Sequence, residues 1–218
     1  MDSRFLITGP DDAGTTILLA HGAGAPMDSK SMNAAAAALA DAGFRVARFE
    51  FGYMAVRRTS DQRKPPPKAE TLQPEYRDAV AALGAKGKLV IGGKSMGGRV
   101  ASMVADELHA ADALFDARRI SGLLCLGYPF HPPEKPAHLR TAHLENLQTP
   151  ALIVQGTRDP FGTRPEVEGY TLSKAIRILW LEDGDHDLVP RNKLSGFSAA
   201  DHLQTLGREV SAWASNLK

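Results

Sequence analysis

The chain has 218 residues and a mass of 23.4 kDa, enough to bury roughly 70% of its unfolded surface without help from disulfides or metals. Hydrophobic residues make up 43% and charged residues 23%, which excludes disordered, collagen-like and coiled-coil chains. Basic and acidic residues number 26 and 25, so no global field draws nucleic acid or an anionic membrane to the surface. A single cysteine, Cys125, excludes an internal disulfide and a cysteine-built zinc site, and fits a reducing compartment. Met1-Asp2-Ser3-Arg4 offers neither a basic nor an apolar leader segment, and no apolar run approaches the ~18 residues that span a bilayer. The expectation is one cytoplasmic domain over residues 1–218.

Short apolar runs alternate with longer helix-like segments along the chain. Ile17 to Ala20 reads as a buried strand, and Asp28 to Ala42 as an alanine-rich helix stopped by Gly43. Val46 to Phe49 is the next strand. The stretch Phe51 to Lys68, closed by Pro65-Pro66-Pro67, is expected to hold little regular structure. A helix over Pro74 to Leu83 precedes a strand over Lys88 to Gly92, and Ser95 to Leu108 has the spacing of a helix packed on a sheet. Gly122 to Leu126 is apolar without alternation, as expected where both faces of a parallel sheet are covered. Tyr128 to Pro150 is proline-rich and reads as an excursion over the sheet edge or site. Ala151 to Gln155 and Ile176 to Leu181 repeat the strand signal, and Ala199 to Leu217 is a closing helix. This order predicts a doubly wound, mostly parallel α/β sheet flanked by helices.

Gly93-Lys94-Ser95-Met96-Gly97 matches G-x-S-x-G between a predicted strand and a predicted helix. A serine on such a turn is strained and exposed at the sheet's carboxyl edge, and the helix behind it offers free N–H groups to developing negative charge. Ser95 is the candidate nucleophile; the plainer alternative is a glycine-rich turn whose serine caps the helix. Oxyanion stabilisation needs two donors, and the N–H groups of Met96 and Ala23 are nominated, with Gly24 replacing Ala23 if the loop register differs. His21 stands beside this loop and reads as its fastener more readily than as a base.

In this arrangement the acid and the histidine follow the serine in chain order, each on a loop after a strand. Asp159 follows Ala151 to Gln155, and His186 follows Ile176 to Leu181. Asp183, Asp185 and Asp187 compete as acids, but their closeness to His186 in sequence hinders them from reaching its outer ring nitrogen.

These residues resemble the α/β-hydrolase superfamily, and within it the small hydrolases of the testis-expressed type, related in outline to dienelactone hydrolases. The resemblance is carried by Leu19-Ala20-His21-Gly22-Ala23-Gly24-Ala25-Pro26-Met27-Asp28-Ser29, Arg48-Phe49-Glu50-Phe51-Gly52-Tyr53-Met54 and Gly92-Gly93-Lys94-Ser95-Met96-Gly97-Gly98-Arg99. Gly127-Tyr128-Pro129-Phe130-His131-Pro132-Pro133 and Gln155-Gly156-Thr157-Arg158-Asp159-Pro160-Phe161-Gly162 carry it further. It implies the α/β-hydrolase fold with Ser95 as nucleophile, Asp159 as acid and His186 as base. One departure is Gly52, where the pattern has proline.

The expected activity is cleavage of an ester or related acyl bond of a small-molecule substrate through an acyl-serine. No cofactor, metal, nucleic acid or membrane enters this expectation, and the sequence leaves the oligomeric state open. The rival is a non-catalytic scaffold that keeps only the fold. Leu126 and Ala151 are separated by 24 residues, too few for a large cap, which predicts an open site and short acyl groups. Between Arg45 and Lys68 seven basic residues face only Glu50 and Asp61. This stretch reads as a solvated loop or as an attraction for an anionic substrate. Cys125, among leucines, reads as an inert buried thiol, and His131, His138, His143 and Glu145 lack a recognised metal spacing.

Overall fold

The computed structural model describes residues 4–59, 65–110 and 119–218. Met1 to Ser3, and Asp61, Arg63 and Lys64 of the basic stretch, lie outside the described residues. Seven strands form one sheet: β1 (Leu6–Thr8), β2 (Thr15–Ala20), β3 (Arg45–Phe49), β4 (Lys88–Lys94), β5 (Gly122–Leu126), β6 (Ala151–Gly156) and β7 (Ile176–Leu181). Their order is β1-β3-β2-β4-β5-β6-β7, with every pairing parallel except β1 with β3.

Alternation along each strand divides the core between the two faces of the sheet. Ile17, Leu19, Val46, Val90, Leu124 and Leu152 point to one face, beneath α1 (Lys30–Asp41) and the last helix, residues Ala199–Ala214. Leu18, Ala20, Ala47, Phe49, Ile91 and Leu123 point to the other, where they meet the helices Gln73–Leu83 and Met96–Ala110. Burial on both faces explains why the strands read as unbroken apolar runs.

Several elements depart from the sequence reading, β1 and α2 among them. β1 was not expected: it is three residues long, too short to show a period, and exists through its antiparallel register with β3, Leu6 opposite Arg48. The stretch expected to be irregular holds α2 (Gly52–Thr59). The prolines lie beyond its end, and its first N–H donates to Glu75 Oε2 at 2.6 Å, a partner supplied from 23 residues away. The remaining helices are α3 (Gln73–Leu83), α4 (Met96–Ala110), α5 (Arg164–Glu168), α6 (Asn192–Ser195) and α7 (Ala199–Ala214). α7 stops at Ala214, short of the predicted Leu217.

Register places the site. Ala20 of β2 pairs with Gly93 of β4, and Gly156 of β6 pairs with Leu181 of β7, so the loops after all four strands emerge along one carboxyl edge. The interval between β5 and β6 runs over this edge with a single 3₁₀ turn, Ala142–Leu144, and anchors itself through buried Tyr128, Phe130, Leu144 and Leu147. It carries no lid.

Candidate active site

Ser95 stands between β4 and α4 with φ of +52°, one of three described non-glycine residues in positive-φ space. Such a conformation costs of order 1–3 kcal/mol and persists where surrounding structure holds it. Two bonds hold it here: Ser95 N–H donates to Leu126 O at 3.0 Å, and its carbonyl accepts from Arg99 N–H at 3.0 Å. The flanking glycines are there because backbone fills the space of a side chain. A Cβ at Gly97 would lie 2.5 Å from Ala20 O and 2.6 Å from His21 O, and one at Gly93 would lie 2.5 Å from Ala20 O. The end of β2 is thereby pressed against the turn that presents Ser95.

His186 Nε2 lies 2.8 Å from Ser95 Oγ, and its Nδ1 lies 2.8 Å from Asp159 Oδ2. With Asp159 ionised, the consistent assignment has Nδ1–H donating to the carboxylate and Nε2 accepting from the serine hydroxyl. Asp159 is fully buried, and its charge is met by donors. Phe161 N–H donates to Oδ1 at 2.9 Å, and Gln155 Nε2 donates to Oδ2 at 3.0 Å. Gln155 is a residue that sequence reasoning missed; a glutamine inside an apolar strand was the available signal. Its Oε1 also accepts from Tyr128 N–H at 2.7 Å, tying the β5–β6 interval to the acid. The Phe161 ring lies 4.2 Å from the imidazole, centroid to centroid.

The three competing acids have other work. The Asp183 carboxylate accepts from Arg191 N–H at 2.7 Å and from its guanidinium, which holds its pKa below the usual range. Asp185 Oδ1 accepts from the N–H groups of Asp187 and Val189, shaping the turn after His186. Asp187 is 3.5 Å from Lys94 Nζ. Lys94 donates to His186 O at 2.5 Å, so this nearly buried lysine fastens the histidine's backbone from beneath. Burial lowers its pKa.

Ala23 and Met96 line the same cavity as Ser95. Met96 opens α4, so its N–H has no carbonyl within the helix to bond. The Ala23 N–H belongs to the same trans peptide as Gly22 O, which accepts from His21 Nδ1 at 2.7 Å; the N–H therefore points the opposite way. Tyr53 OH, on α2, donates to Ala23 O at 3.0 Å, and Arg57 Nη1 lies 3.4 Å from the same oxygen. Burial pushes the Tyr53 hydroxyl up to about 12, which keeps it a donor. α2 thus braces the loop that carries Ala23.

His21 is fully buried, and its Nε2 accepts from Phe51 N–H at 3.2 Å. Desolvation lowers its pKa from 6.5, and both ring nitrogens are committed in the neutral form. It is the loop fastener. The unfolded chain takes up this proton near pH 6.5 and the folded chain resists it. The unfolded state therefore binds more protons below that pH, and stability is lost as pH falls through this window. We expect the urea midpoint to be level from pH 8 to 7 and to fall between pH 6.5 and 5. A His21→Gln variant should start lower and show a flatter profile. A wild-type midpoint unchanged down to pH 5 would contradict this.

The described arginines of the basic stretch make separate local ties. Arg48 is buried and binds Met27 O, Asn33 and Thr8, while Arg58 pairs with Asp28 and Glu50. Arg57 lies over the Tyr53 ring, and Lys68 alone of the described members lines the Ser95 cavity. Burial raises the pKa of Cys125, in keeping with an inert thiol. Among the described residues no group of three or more His, Cys, Asp or Glu side chains is placed to hold a metal ion.

A family model described as an alpha/beta hydrolase domain matches residues 13–215. The chain belongs to the α/β-hydrolase family. Solved α/β-hydrolases share the fold at low identity. Dienelactone hydrolase from Anabaena variabilis superposes with a TM-score of 0.70 at 18% identity, over 98% of this chain and 91% of that one. An alpha-beta serine hydrolase homologue from Coxiella burnetii gives 0.65 at 17% identity, over 94% and 90%. A serine hydrolase without a lid from Xanthomonas campestris gives 0.63 at 18% identity, over 96% and 88%. No described helix is long and apolar enough to cross a membrane.

Proposed function

We propose that this α/β-hydrolase is a cytoplasmic serine hydrolase, a single domain over residues 1–218, cleaving an ester or related acyl bond of a small soluble substrate. The segments quoted above resemble the testis-expressed-type hydrolases, which supports this reading. The observation that carries the reading is the unbroken chain from Ser95 Oγ through His186 to buried Asp159, with 2.8 Å at both steps. Ser95 Oγ attacks the acyl carbon while His186 Nε2 takes its proton. Negative charge on the carbonyl oxygen falls to the N–H groups of Ala23 and Met96. The tetrahedral intermediate collapses, His186 protonates the leaving alcohol, and an acyl-serine remains. Water then repeats the attack with His186 as base and frees the acid. Asp159 keeps Nδ1 protonated throughout and offsets the charge of the imidazolium. A scaffold without catalysis has no use for a serine held at positive φ against a histidine, which favours the enzyme.

A fluorophosphonate probe should label the wild-type protein at Ser95, and absence of labelling on folded protein would defeat the proposal. The lidless β5–β6 interval supports a site for short acyl groups. Across acetyl, butyryl, octanoyl and palmitoyl esters of one chromogenic alcohol, kcat/KM should peak at acetyl or butyryl. A rise through octanoyl to palmitoyl, or activation at a lipid interface, would contradict it.

A further inference from the structure

The cavity of about 400 Å³ that holds Ser95 is not electrically neutral. Lys68, Arg99 and Arg140 line it against a single carboxylate, Glu70. Arg99 stands in the first turn of α4, four residues after Ser95, and its N–H donates to Ser95 O at 3.0 Å. Its Nη2 is 2.5 Å from Glu70 Oε1, but its Nε is buried and has no hydrogen-bond partner. Arg140 comes from the β5–β6 interval. Its backbone is fixed by Arg140 N–H donating to Phe130 O at 2.8 Å and Tyr128 OH donating to Arg140 O at 3.0 Å. Its guanidinium has no hydrogen bond or ion pair among the described residues, and both burial and the neighbouring Arg99 weigh against its charge. Two guanidinium groups thus line one cavity, partly desolvated, with a single half-exposed carboxylate that pairs with Arg99 alone. An arrangement of this kind is unfavourable while empty and becomes favourable when a second anion enters.

We propose that Arg99 and Arg140 form an anion subsite beside Ser95, and that the substrate is an ester bearing a carboxylate or similar oxyanion near the scissile bond. This rests on the serine hydrolase reading and adds the substrate's charge to it. The Arg140 fork offers paired N–H donors to a planar carboxylate, and the Arg99 guanidinium adds a second positive charge at the same wall. Glu70 keeps the Arg99 side chain in place and, as a fixed negative charge at the cavity wall, disfavours an anion seated on the wrong side.

The test compares esters matched in length. In one arm the charge is on the acyl side (monomethyl adipate against methyl hexanoate); in the other it is on the alcohol side (acetoxyacetate against ethyl acetate). Hydrolysis is followed by proton release. For at least one arm the anionic ester should have the larger kcat/KM, by about 10- to 100-fold, and the arm identifies which side of the ester meets the subsite. In Arg140→Gln and in Arg99→Gln that ratio should fall toward one, and Arg140→Lys should recover part of it. Raising the salt concentration should shrink the wild-type ratio only modestly, because the pair is screened less than a surface patch. Ratios at or below one in both arms, on protein that the fluorophosphonate labels at Ser95, overturn the subsite and leave the hydrolase reading standing. Calorimetric titration of folded Ser95→Ala with monomethyl adipate and with sodium acetoxyacetate reads the subsite without turnover. Binding of either that weakens at least tenfold in Arg140→Gln supports it; no binding of either ester overturns it, whatever the wild-type activity.

Discussion

Ser95→Ala should reduce kcat by a factor of about 10⁴ to 10⁶ while leaving the protein folded. The size follows from what is removed. Oγ is the atom that would form the acyl bond, and among the described residues no other serine, threonine or cysteine lines the cavity; Cys125 is buried in the strand behind it. What survives is whatever the two oxyanion donors contribute to attack by water. The fold should tolerate the change because the Ser95 backbone, held by Leu126 O and Arg99 N–H, makes the same bonds with alanine. Purified variant with a native circular dichroism spectrum and thermal midpoint should show no turnover above background. More than a few per cent of wild-type rate would remove Ser95 from the mechanism.

Asp159→Asn should cut kcat by about 10⁴. Three donors converge on the Asp159 carboxylate: Phe161 N–H on Oδ1, with Gln155 Nε2 and His186 Nδ1 on Oδ2. An amide has one acceptor oxygen and must turn its NH₂ toward one side. Turned to the histidine, it leaves Nδ1 as acceptor, forces the proton onto Nε2, and blocks removal of the Ser95 proton. Turned to Phe161, it opposes a backbone N–H in a site with no water-facing escape, at a cost of about 1–3 kcal/mol in stability. Either choice damages the enzyme, and kcat with the thermal midpoint distinguishes them. Asn at Asp183, Asp185 or Asp187 should leave kcat within about tenfold, since these carboxylates hold the loop through Arg191, backbone N–H groups and Lys94. A fully active Asp159→Asn enzyme, or an equal loss at Asp187, would reassign the acid.

The features legible in the sequence are those enforced by local covalent order. Six of the seven strands are legible as apolar runs, and in β2, β4, β5 and β6 burial on both faces leaves little room for polar residues. Ser95, Asp159 and His186 could be placed because each follows such a strand within a few residues. What escaped reading depends on partners far along the chain. β1 exists by its register with β3, and α2 starts on a carboxylate from α3. The arginines of the basic stretch look alike in sequence, yet Arg48 is buried structure and Arg57 and Arg58 are ties to loops. Conversely Arg99 and Arg140, 41 positions apart in an otherwise balanced sequence, share one cavity wall that no charge count could reveal. Gln155 and Lys94 belong to the same class: their value lies in the atoms they reach, Asp159 Oδ2 and His186 O.

One carbonyl, Ala20 O, sits 2.5 Å from the place a Cβ would occupy at both Gly93 and Gly97. That sets how the site can change by mutation. An overpacked core is ordinarily relieved by a smaller neighbour, so damaging substitutions there have second-site suppressors. Here the obstructing atom is backbone, and no exchange at position 20 removes it. Gly97→Ala could be accommodated only by moving β2 away from β4, and the loop at Ala23 would travel with it. The two glycines are therefore epistatically isolated: a library that varies every residue around them should return glycine at both positions among active clones, with no compensating partner.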